Sequence, residues 1–159
     1  MTETPATYAS PRVVGLDPGT SFGIAHYCGG RLIALHTLRP HDAITHIRCL
    51  GAQDLVIIED SRLQSASFRN ATKDSKAVAF SKGRSVGRVD MLCQMVEWVC
   101  EEGAIPLISL SPKDKGAKLA GKEEFRRVTG WEGKSNQHGR DAAMVAFRFR
   151  NNAGARKII

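Results

Sequence analysis

The stretch RVVGLDPGT, residues 12–20, decides how the rest of the sequence is interpreted. It begins as a short, mostly apolar run and ends in Asp-Pro-Gly, which is typical of a tight turn. It therefore predicts a buried strand over residues 12–16, with Asp17 at the carboxyl end of that strand. An Asp before Pro-Gly is often a turn former, so this stretch by itself leaves a structural and a functional interpretation open.

Two further strands are predicted immediately downstream. Residues 22–28 and 31–38 are rich in apolar and aromatic side chains, and Gly29-Gly30 between them is typical of a two-residue hairpin turn. Three strands joined so tightly predict an antiparallel meander. A helix is predicted over 40–50, and the apolar run at 54–60 predicts a strand parallel to an earlier one.

The second half of the sequence predicts more helices and one more strand. The predicted elements are an exposed loop at 61–75, a helix at 83–102, a strand at 105–110, and helices beginning at Ser111-Pro112, at 121–128 and at 138–150. The whole order predicts an α/β fold. Its core would be a mixed five-stranded sheet, with a three-strand antiparallel meander plus parallel strands, flanked by helices.

Length and composition favour a globular protein. The chain has 159 residues and is 42% hydrophobic, which suits one domain over 12–151, a polar tail at 1–11 and a basic tail at 152–159. We expect no membrane span, because no apolar run approaches about 20 residues, and no signal peptide. The cysteines lack zinc-site spacing and predict buried free thiols in a cytoplasmic protein; they are Cys28, Cys49, Cys93 and Cys100.

The positive charge is concentrated in two regions. The chain carries 23 Lys and Arg against 16 Asp and Glu, a net charge of +7. Residues 62–88 contain seven bases and one acid, and residues from 112 onward contain twelve bases and five acids. Solvated surfaces are the ordinary explanation. The first region also holds an aromatic residue, Phe68, which together with the bases is typical of a segment that binds nucleic acid.

Carboxylates are predicted where buried elements end. Asp17 and Glu59 end two strands, and if these strands are parallel neighbours, both side chains emerge at one sheet edge. Asp141 lies near the start of the last helix, with His138 three residues earlier on the same face. Mostly oxygen ligands with one imidazole favour Mg²⁺ or Mn²⁺. Each residue also has a purely structural explanation. Asp17 can form the turn and Glu59 can mark the exit of its strand to solvent. Asp141 can stabilise the helix dipole and His138 can cap the helix.

The sequence resembles RuvC-type Holliday junction resolvases, which have the RNase H-like fold. VVGLDPGT at 13–20 resembles the first-strand motif, LVIIE at 55–59 the strand with the second acid, and HGRDAA at 138–143 the C-terminal metal-site helix. GRSVGR at 83–88 resembles the start of the family's long helix. The resemblance spans roughly residues 12 to 149 in the family's order, and phage-type members are among the relatives it suggests.

The resemblance implies a homodimeric, metal-dependent endonuclease that takes part in DNA recombination and repair. It would resolve four-way DNA junctions by paired symmetric nicks, in the cytoplasm of a bacterial or phage-infected cell. Asp17, Glu59, His138 and Asp141 would be the catalytic and metal-binding residues. Two Mg²⁺ ions would occupy each active site, and Mn²⁺ can substitute.

Further residues are predicted to bind DNA or to form the dimer. The DNA-binding candidates are Arg62, Phe68, Arg69, Lys73, Lys76, Lys82, Arg84, Arg88, Lys113, Lys115 and Lys118. The dimer-interface candidates are Met91, Met95 and Trp98. Phe68 can equally pack into the core, and the three interface candidates can equally pack inside the monomer.

Three other functions remain as alternatives. DPGTSFG at 17–23 fits the phosphate-binding motif of actin-like ATPases and sugar kinases, but these proteins need two such domains and 159 residues supply one. An RNase H-fold nuclease acting on another branched DNA or on an RNA–DNA hybrid is the second alternative. A catalytically inactive junction-binding protein is the third, and the complete set of acids argues against it.

Overall fold

The computed structural model describes residues 10–64, 74–114 and 116–153. In these residues, five strands form one sheet and helices pack on both of its faces. The strands are β1 (Arg12–Asp17), β2 (Phe22–Cys28), β3 (Arg31–Leu38), β4 (Leu55–Glu59) and β5 (Leu107–Leu110). The helices are α1 (Pro40–Arg48), α2 (Lys76–Glu102), α3 (Lys122–Thr129) and α4 (Gln137–Ala146), with 3-10 turns at Ser61–Leu63 and Phe147–Phe149.

The sheet has the predicted mixed topology. Its strand order is β3-β2-β1-β4-β5; β1, β2 and β3 pair antiparallel, whereas β4 pairs parallel with β1 and β5 parallel with β4. Gly29 and Gly30 both have positive φ angles, which a two-residue turn of this kind requires and which glycine adopts without strain. The predicted meander and its hairpin turn are confirmed.

Alternation along the strands separates two cores. Val14 and Leu16 of β1 pack with the residues of α1 and α2, whereas Val13 packs on the other face with α3 and α4. Strand side chains alternate between faces, so Asp17 shares the α4 face with Val13. Glu59 shares the same face with Ile57 in β4. The strand pattern itself therefore turns both carboxylates toward α4.

Two glycines allow α4 to lie directly on the sheet. A Cβ atom at Gly15 of β1 would collide with the carbonyl oxygen of Ala142, and one at Gly23 of β2 would collide with that of His138. Interiors are packed to crystal-like density, so the helix could not keep this position if either residue had a side chain. The two glycines set the distance between α4 and the end of β1 where Asp17 lies.

The long helix begins earlier than its apolar pattern predicts. We expected it to begin at residue 83, but α2 begins at Lys76, where the Ser75 side chain accepts a hydrogen bond from the Val78 N–H. All described residues from 75 to 88 are exposed. A helix segment that packs against nothing needs no apolar stripe, so only its Ser cap marked its start.

The structure differs from the sequence-based prediction after β5 and at the end of the last helix. The described residues 111–114 and 116–121 form a turn and irregular chain, so the helix predicted from Ser111-Pro112 is wrong; Ser-Pro here begins a turn. The last helix ends at Ala146 and continues as a 3-10 turn.

Two of the four cysteines are buried as predicted, and two are not. Cys93 and Cys100 are buried as predicted, but Cys28 is half-buried and Cys49 is exposed, because Cys49 follows the last turn of α1. The predicted tails at 1–11 and 152–159 and the loop at 61–75 lie largely outside the described residues. Within the described ranges, we find no helix with the length and apolarity that crossing a bilayer requires.

We predict that Gly15→Ala destabilises the protein by about 1–3 kcal/mol or more, because the added methyl overpacks the contact between β1 and α4. Urea unfolding followed by circular dichroism measures the change. Gly87→Ala is the matched control: among the described residues no atom lies within 4 Å of a Cβ built there. In that exposed helix the substitution should be neutral or stabilise by up to about 1 kcal/mol. Equal effects of the two changes would contradict the close contact.

Candidate functional site

Asp17 and Glu59 lie side by side at the carboxyl edge of the sheet. The parallel register pairs Leu16 of β1 with Ile58 of β4, so the next residues in the two strands are the two acids. Both are partly buried. Glu59 is also paired across to Leu110 at the end of β5, so three parallel strands end together at this edge. Carboxyl edges of this kind are where ligands gather in open α/β sheets.

Helix α4 brings two further predicted residues to the same edge. His138 lies in its first turn, and its Nδ1 is 3.6 Å from Oδ2 of Asp17, an ion-pair distance when the imidazole is protonated. Asp141 follows three residues later on the same helix face. The packing of α4 on β1 and β2 thus brings His138 to Asp17, and Asp141 follows about one turn further along the same helix.

A chain of hydrogen bonds holds the carboxylate of Asp141. Nε2 of Gln137 donates to Oδ1 of Asp141 at 2.7 Å, and Oε1 of Gln137 accepts from the guanidinium of Arg140 at 3.1 Å. Arg140 is buried and also donates to the carbonyl oxygens of Leu119 and Ala120. Sequence reasoning missed Gln137 and Arg140. The sequence does place an amide and a cation close to the acid, in QHGRD at 137–141. The same residues are also common on exposed helix surfaces, so this pattern did not single them out.

The first turns of α4 are also fixed by contacts from the meander. Oδ1 of Asn136 caps the helix by accepting from the Gly139 N–H, and it accepts a second bond from the Thr37 hydroxyl of β3 at 2.9 Å. The hydroxyl of Tyr27 in β2 donates to the carbonyl oxygen of Ala143 at 3.0 Å. These bonds connect α4 to β2 and β3.

Asp60 belongs to a different structural unit from Glu59. It is 2% exposed, and the hydrogen bond from the Arg62 side chain lowers its pKa below the usual value. The guanidinium of Arg62 lies 2.7 Å from Asp60 and 3.0 Å from Glu97 of α2. Arg62, which the sequence predicts to bind DNA, therefore holds the turn after β4 against α2.

The donor set of the edge fits a hard divalent cation. The carboxylates of Asp17, Glu59 and Asp141 would supply oxygen ligands, and His138 would add one imidazole. Neighbouring carboxylates repel one another when ionised, and bound cations remove this repulsion. The residues present are those that Mg²⁺ or Mn²⁺ would use, whereas a zinc site would be expected to contain more nitrogen or sulfur.

The first basic region extends beyond this edge of the sheet. Sγ of Cys93 in α2 lies 3.8 Å from the carbonyl oxygen of Glu59, so α2 passes the end of β4 at that residue. The exposed segment 76–88 precedes it and, at 1.5 Å per residue, projects about 20 Å past the edge. Its bases are Lys76, Lys82, Arg84 and Arg88. We call this segment the basic arm.

The basic arm carries an aromatic residue that sequence reasoning missed. The side chain of Phe80 is 68% exposed, and the guanidinium of Arg84 lies 5.8 Å from its ring centroid. Phe80 lies between the predicted loop at 61–75 and the predicted helix at 83–102, and it was assigned to neither. The candidates Phe68, Arg69 and Lys73, with Lys115 of the second region, lie outside the described residues.

Part of the second basic region lies near the same edge. Lys113 follows β5 in an exposed turn, and Lys118 is exposed on the next segment. An open groove of about 580 Å³ runs between β3 and the start of α4, and Lys122 and Lys134 line it beside Thr37 and Asn136. Lys134 was not among the predicted binding residues, because no local pattern distinguished it from other surface lysines.

The candidate interface residues are divided between surface and core. Met91 and Trp98 of α2 are 45% and 49% exposed, whereas Met95 packs against the core that α1 and α2 share with the sheet. Two residues seven positions apart lie on one helix face. The exposed apolar face therefore contains Met91 and Trp98, with Met95 at its buried border.

Comparisons with known proteins indicate the fold. No protein-family model matches the sequence, and no curated protein does. Among solved structures, the chain is similar to T. thermophilus RuvC in complex with a Holliday junction substrate, with a TM-score of 0.55 and 16% sequence identity. The similarity covers 86% of this chain and 90% of that one. The predicted RNase H-like α/β fold is thereby confirmed.

Proposed function

We propose that this protein is a metal-dependent endonuclease that resolves four-way DNA junctions by paired symmetric nicks. The observation that supports it most is that Asp17, Glu59 and His138 lie together at one sheet edge, with Asp141 on the same helix as His138 and the basic arm projecting past that edge. A local negative site surrounded by positive surface suits hydrolysis of a phosphodiester held by its backbone.

Asp17, Glu59 and Asp141 would hold two divalent ions, with His138 as a ligand or as a group that orients the nucleophile. When bound, such ions polarise the phosphodiester and lower the pKa of a water molecule. Gln137 and Arg140 act through Asp141, since their hydrogen bonds fix its carboxylate. The contact at Gly15 and Gly23 fixes the height of α4 above β1, and with it the distance between the acids.

DNA would be held on both sides of the acids. On one side the basic arm offers Lys76, Arg84 and Arg88, while Lys82 pairs with Asp74. Phe80 offers an exposed stacking side chain in addition to the predicted Phe68. On the other side Lys113 and Lys118, with the groove lysines Lys122 and Lys134, face the same edge. Arg62 is left out of this surface because its guanidinium pairs with Asp60 and Glu97.

A homodimer accounts for symmetric cutting. A junction with two-fold symmetry presents two equivalent phosphodiesters, and two active sites related by the same symmetry can cut both. Met91 and Trp98 provide an exposed apolar face on α2, at the C-terminal side of the basic arm. Pairing through this face would place two arms on one junction.

Two alternatives share the same fold. A nuclease that acts on another branched DNA or on an RNA–DNA hybrid would use the same acids, and the substrate would distinguish it. A catalytically inactive junction-binding protein would need the basic surface alone. The hydrogen-bonded support of Asp141 favours catalysis over this second alternative, because a binding surface for phosphates gains nothing from an oriented carboxylate.

We predict that Asp17→Asn reduces cleavage of a synthetic mobile four-way junction by about 10³-fold or more in Mg²⁺ or Mn²⁺, as loss of a central catalytic group usually does. Junction affinity, measured by gel shift in Ca²⁺, should be unchanged. Asp42→Asn is the control, since it removes an exposed carboxylate that pairs with Arg39 on α1.

Substrate controls distinguish the alternatives in the same assay. Paired nicks confined to the junction, and absent from a linear duplex, agree with the proposal. Equal cutting of an RNA–DNA hybrid would assign the protein to the other nuclease class. Junction binding without cutting in either metal would leave only the binding function.

We predict that replacing Arg84 and Arg88 together with Ala weakens junction binding and lowers the slope of log affinity against log salt by up to about 2, because each phosphate contact contributes roughly one unit. Fluorescence anisotropy at several salt concentrations measures it. Arg31→Ala is the matched control, since Arg31 is exposed at the opposite end of the sheet from Asp17. An equal change in slope for the control would contradict a role for the basic arm.

We predict that Trp98→Lys converts a dimer into a monomer, because a charge in an apolar interface is desolvated without a partner. Size-exclusion chromatography with light scattering measures the mass. Val128→Lys is the control, since Val128 is a comparably exposed apolar residue on α3. A wild-type monomer at micromolar concentration in the presence and absence of junction DNA would refute the dimer.

A further inference from the structure

Three of the five histidines meet on the face of the sheet opposite the carboxylates. His26 lies in β2, His36 in β3 and His46 in the last turn of α1. His36 pairs with Ile24, whose side chain belongs to the core shared with α1, and His26 lies two residues beyond Ile24 on the same face. The pairing of β2 with β3 shifts register between His26 and Tyr27, and a β-bulge of this kind can redirect a side chain.

The three rings are close enough to share one ion. One ring nitrogen from each histidine lies within 4.8 Å of those of the other two, and Nε2 of His26 is 2.8 Å from Nε2 of His46. In a tetrahedral zinc site with Zn–N bonds of about 2.0–2.1 Å, nitrogens are separated by about 3.3 Å. Small rotations of the rings would bring this group to that geometry.

Burial keeps the rings in the form that metal ligands require. Desolvation lowers the pKa of His26 to about 3 and that of His46 to about 4, and it also lowers the pKa of His36. All three imidazoles are therefore neutral near pH 7, with a lone pair on one nitrogen of each ring. A metal ion needs this neutral form.

A buried histidine at this position lacks a simple packing explanation. Among the described residues, Nδ1 of His26 is buried and makes no hydrogen bond. An apolar residue at position 26 would avoid that cost, because unsatisfied buried polar groups destabilise. The cation near His26 is Arg12, and its charge is balanced by a buried salt bridge with Asp54 at 3.0 Å.

We propose that His26, His36 and His46 form a site for Zn²⁺, separate from the carboxylate site on the opposite face of the sheet. Three imidazoles and no hard oxygen ligand favour Zn²⁺ over Mg²⁺. His36 and His46 are half-buried, so a water molecule can complete the tetrahedron. The ion would clamp α1 to the β2–β3 hairpin, which adds a cross-link at the edge of the sheet.

The test uses the untagged full chain, stripped with a chelator and then dialysed against a small excess of Zn²⁺. We expect one zinc per chain by elemental analysis and a higher unfolding temperature with zinc than without it. Co²⁺ used as a probe should give the visible absorption bands of a low-symmetry nitrogen site. These measurements need no variant, and none of them depends on nuclease activity.

Variants then locate the ion. His46→Gln should weaken zinc binding by more than about 100-fold, because even losing an outer partner of a ligand costs 10- to 100-fold. His36→Gln should do the same, and it replaces His46→Gln if that variant does not fold. His41→Gln is the matched control, since His41 is an exposed histidine on the same helix. Asp17→Asn tests the carboxylate site and should keep the zinc.

Two results would overturn the site. One is the absence of both stoichiometric zinc and a thermal shift in the wild-type chain, which would leave the rings as hydrogen-bonded neighbours. The other is zinc retained by both His46→Gln and His36→Gln but lost in Asp17→Asn, which would place the ion at the carboxylates. The first result leaves the proposed nuclease function untouched, because that function rests on the other face of the sheet. The second would place the ion at the carboxylate site that the nuclease function already uses, so it would overturn the histidine site alone.

Discussion

The packing of α4 on the sheet is the contact on which the candidate site depends. Gly15 and Gly23 present bare backbone to the helix, so the helix axis lies closer to β1 and β2 than side chains would permit. That closeness brings His138 within 3.6 Å of Asp17. The capping residue of the helix, Asn136, accepts a hydrogen bond from Thr37 of β3, and Tyr27 of β2 donates to the helix backbone. These bonds hold the first turns of the helix in place above the sheet edge.

Charge at the site is arranged by the same geometry. Parallel pairing of β1 and β4 aligns Asp17 with Glu59, and alternation turns both toward α4. Gathering carboxylates is unfavourable unless cations compensate, and the chain places its bases around that edge instead of within it. Asp60, the residue after Glu59, is turned to the other face of the sheet and paired with Arg62. A net charge of +7 thus surrounds a local negative centre.

The departures from sequence-based expectation have specific causes. The start of α2 at Lys76 was missed because its exposed segment carries no apolar period to detect. Phe80, which lies in the same exposed segment, was missed with it. Arg62 carries the charge expected of a DNA-binding residue, yet a buried acid two positions earlier pairs with it. In each case the burial or exposure of a residue in the folded chain decided the outcome.

By itself, the sequence determined the strands, the meander, the order of elements and the acids at their ends, because these follow from local periodicity and turn chemistry. It also marked Asp17, Glu59, His138 and Asp141 as residues able to converge. Only the tertiary structure decided which side chains support them, such as Arg140, and that three histidines from β2, β3 and α1 meet on the other face. The histidines are brought together by strand pairing and helix packing, and Arg140 is held by backbone groups about twenty residues earlier in the chain. Local periodicity and turn chemistry do not determine which distant residues come into contact.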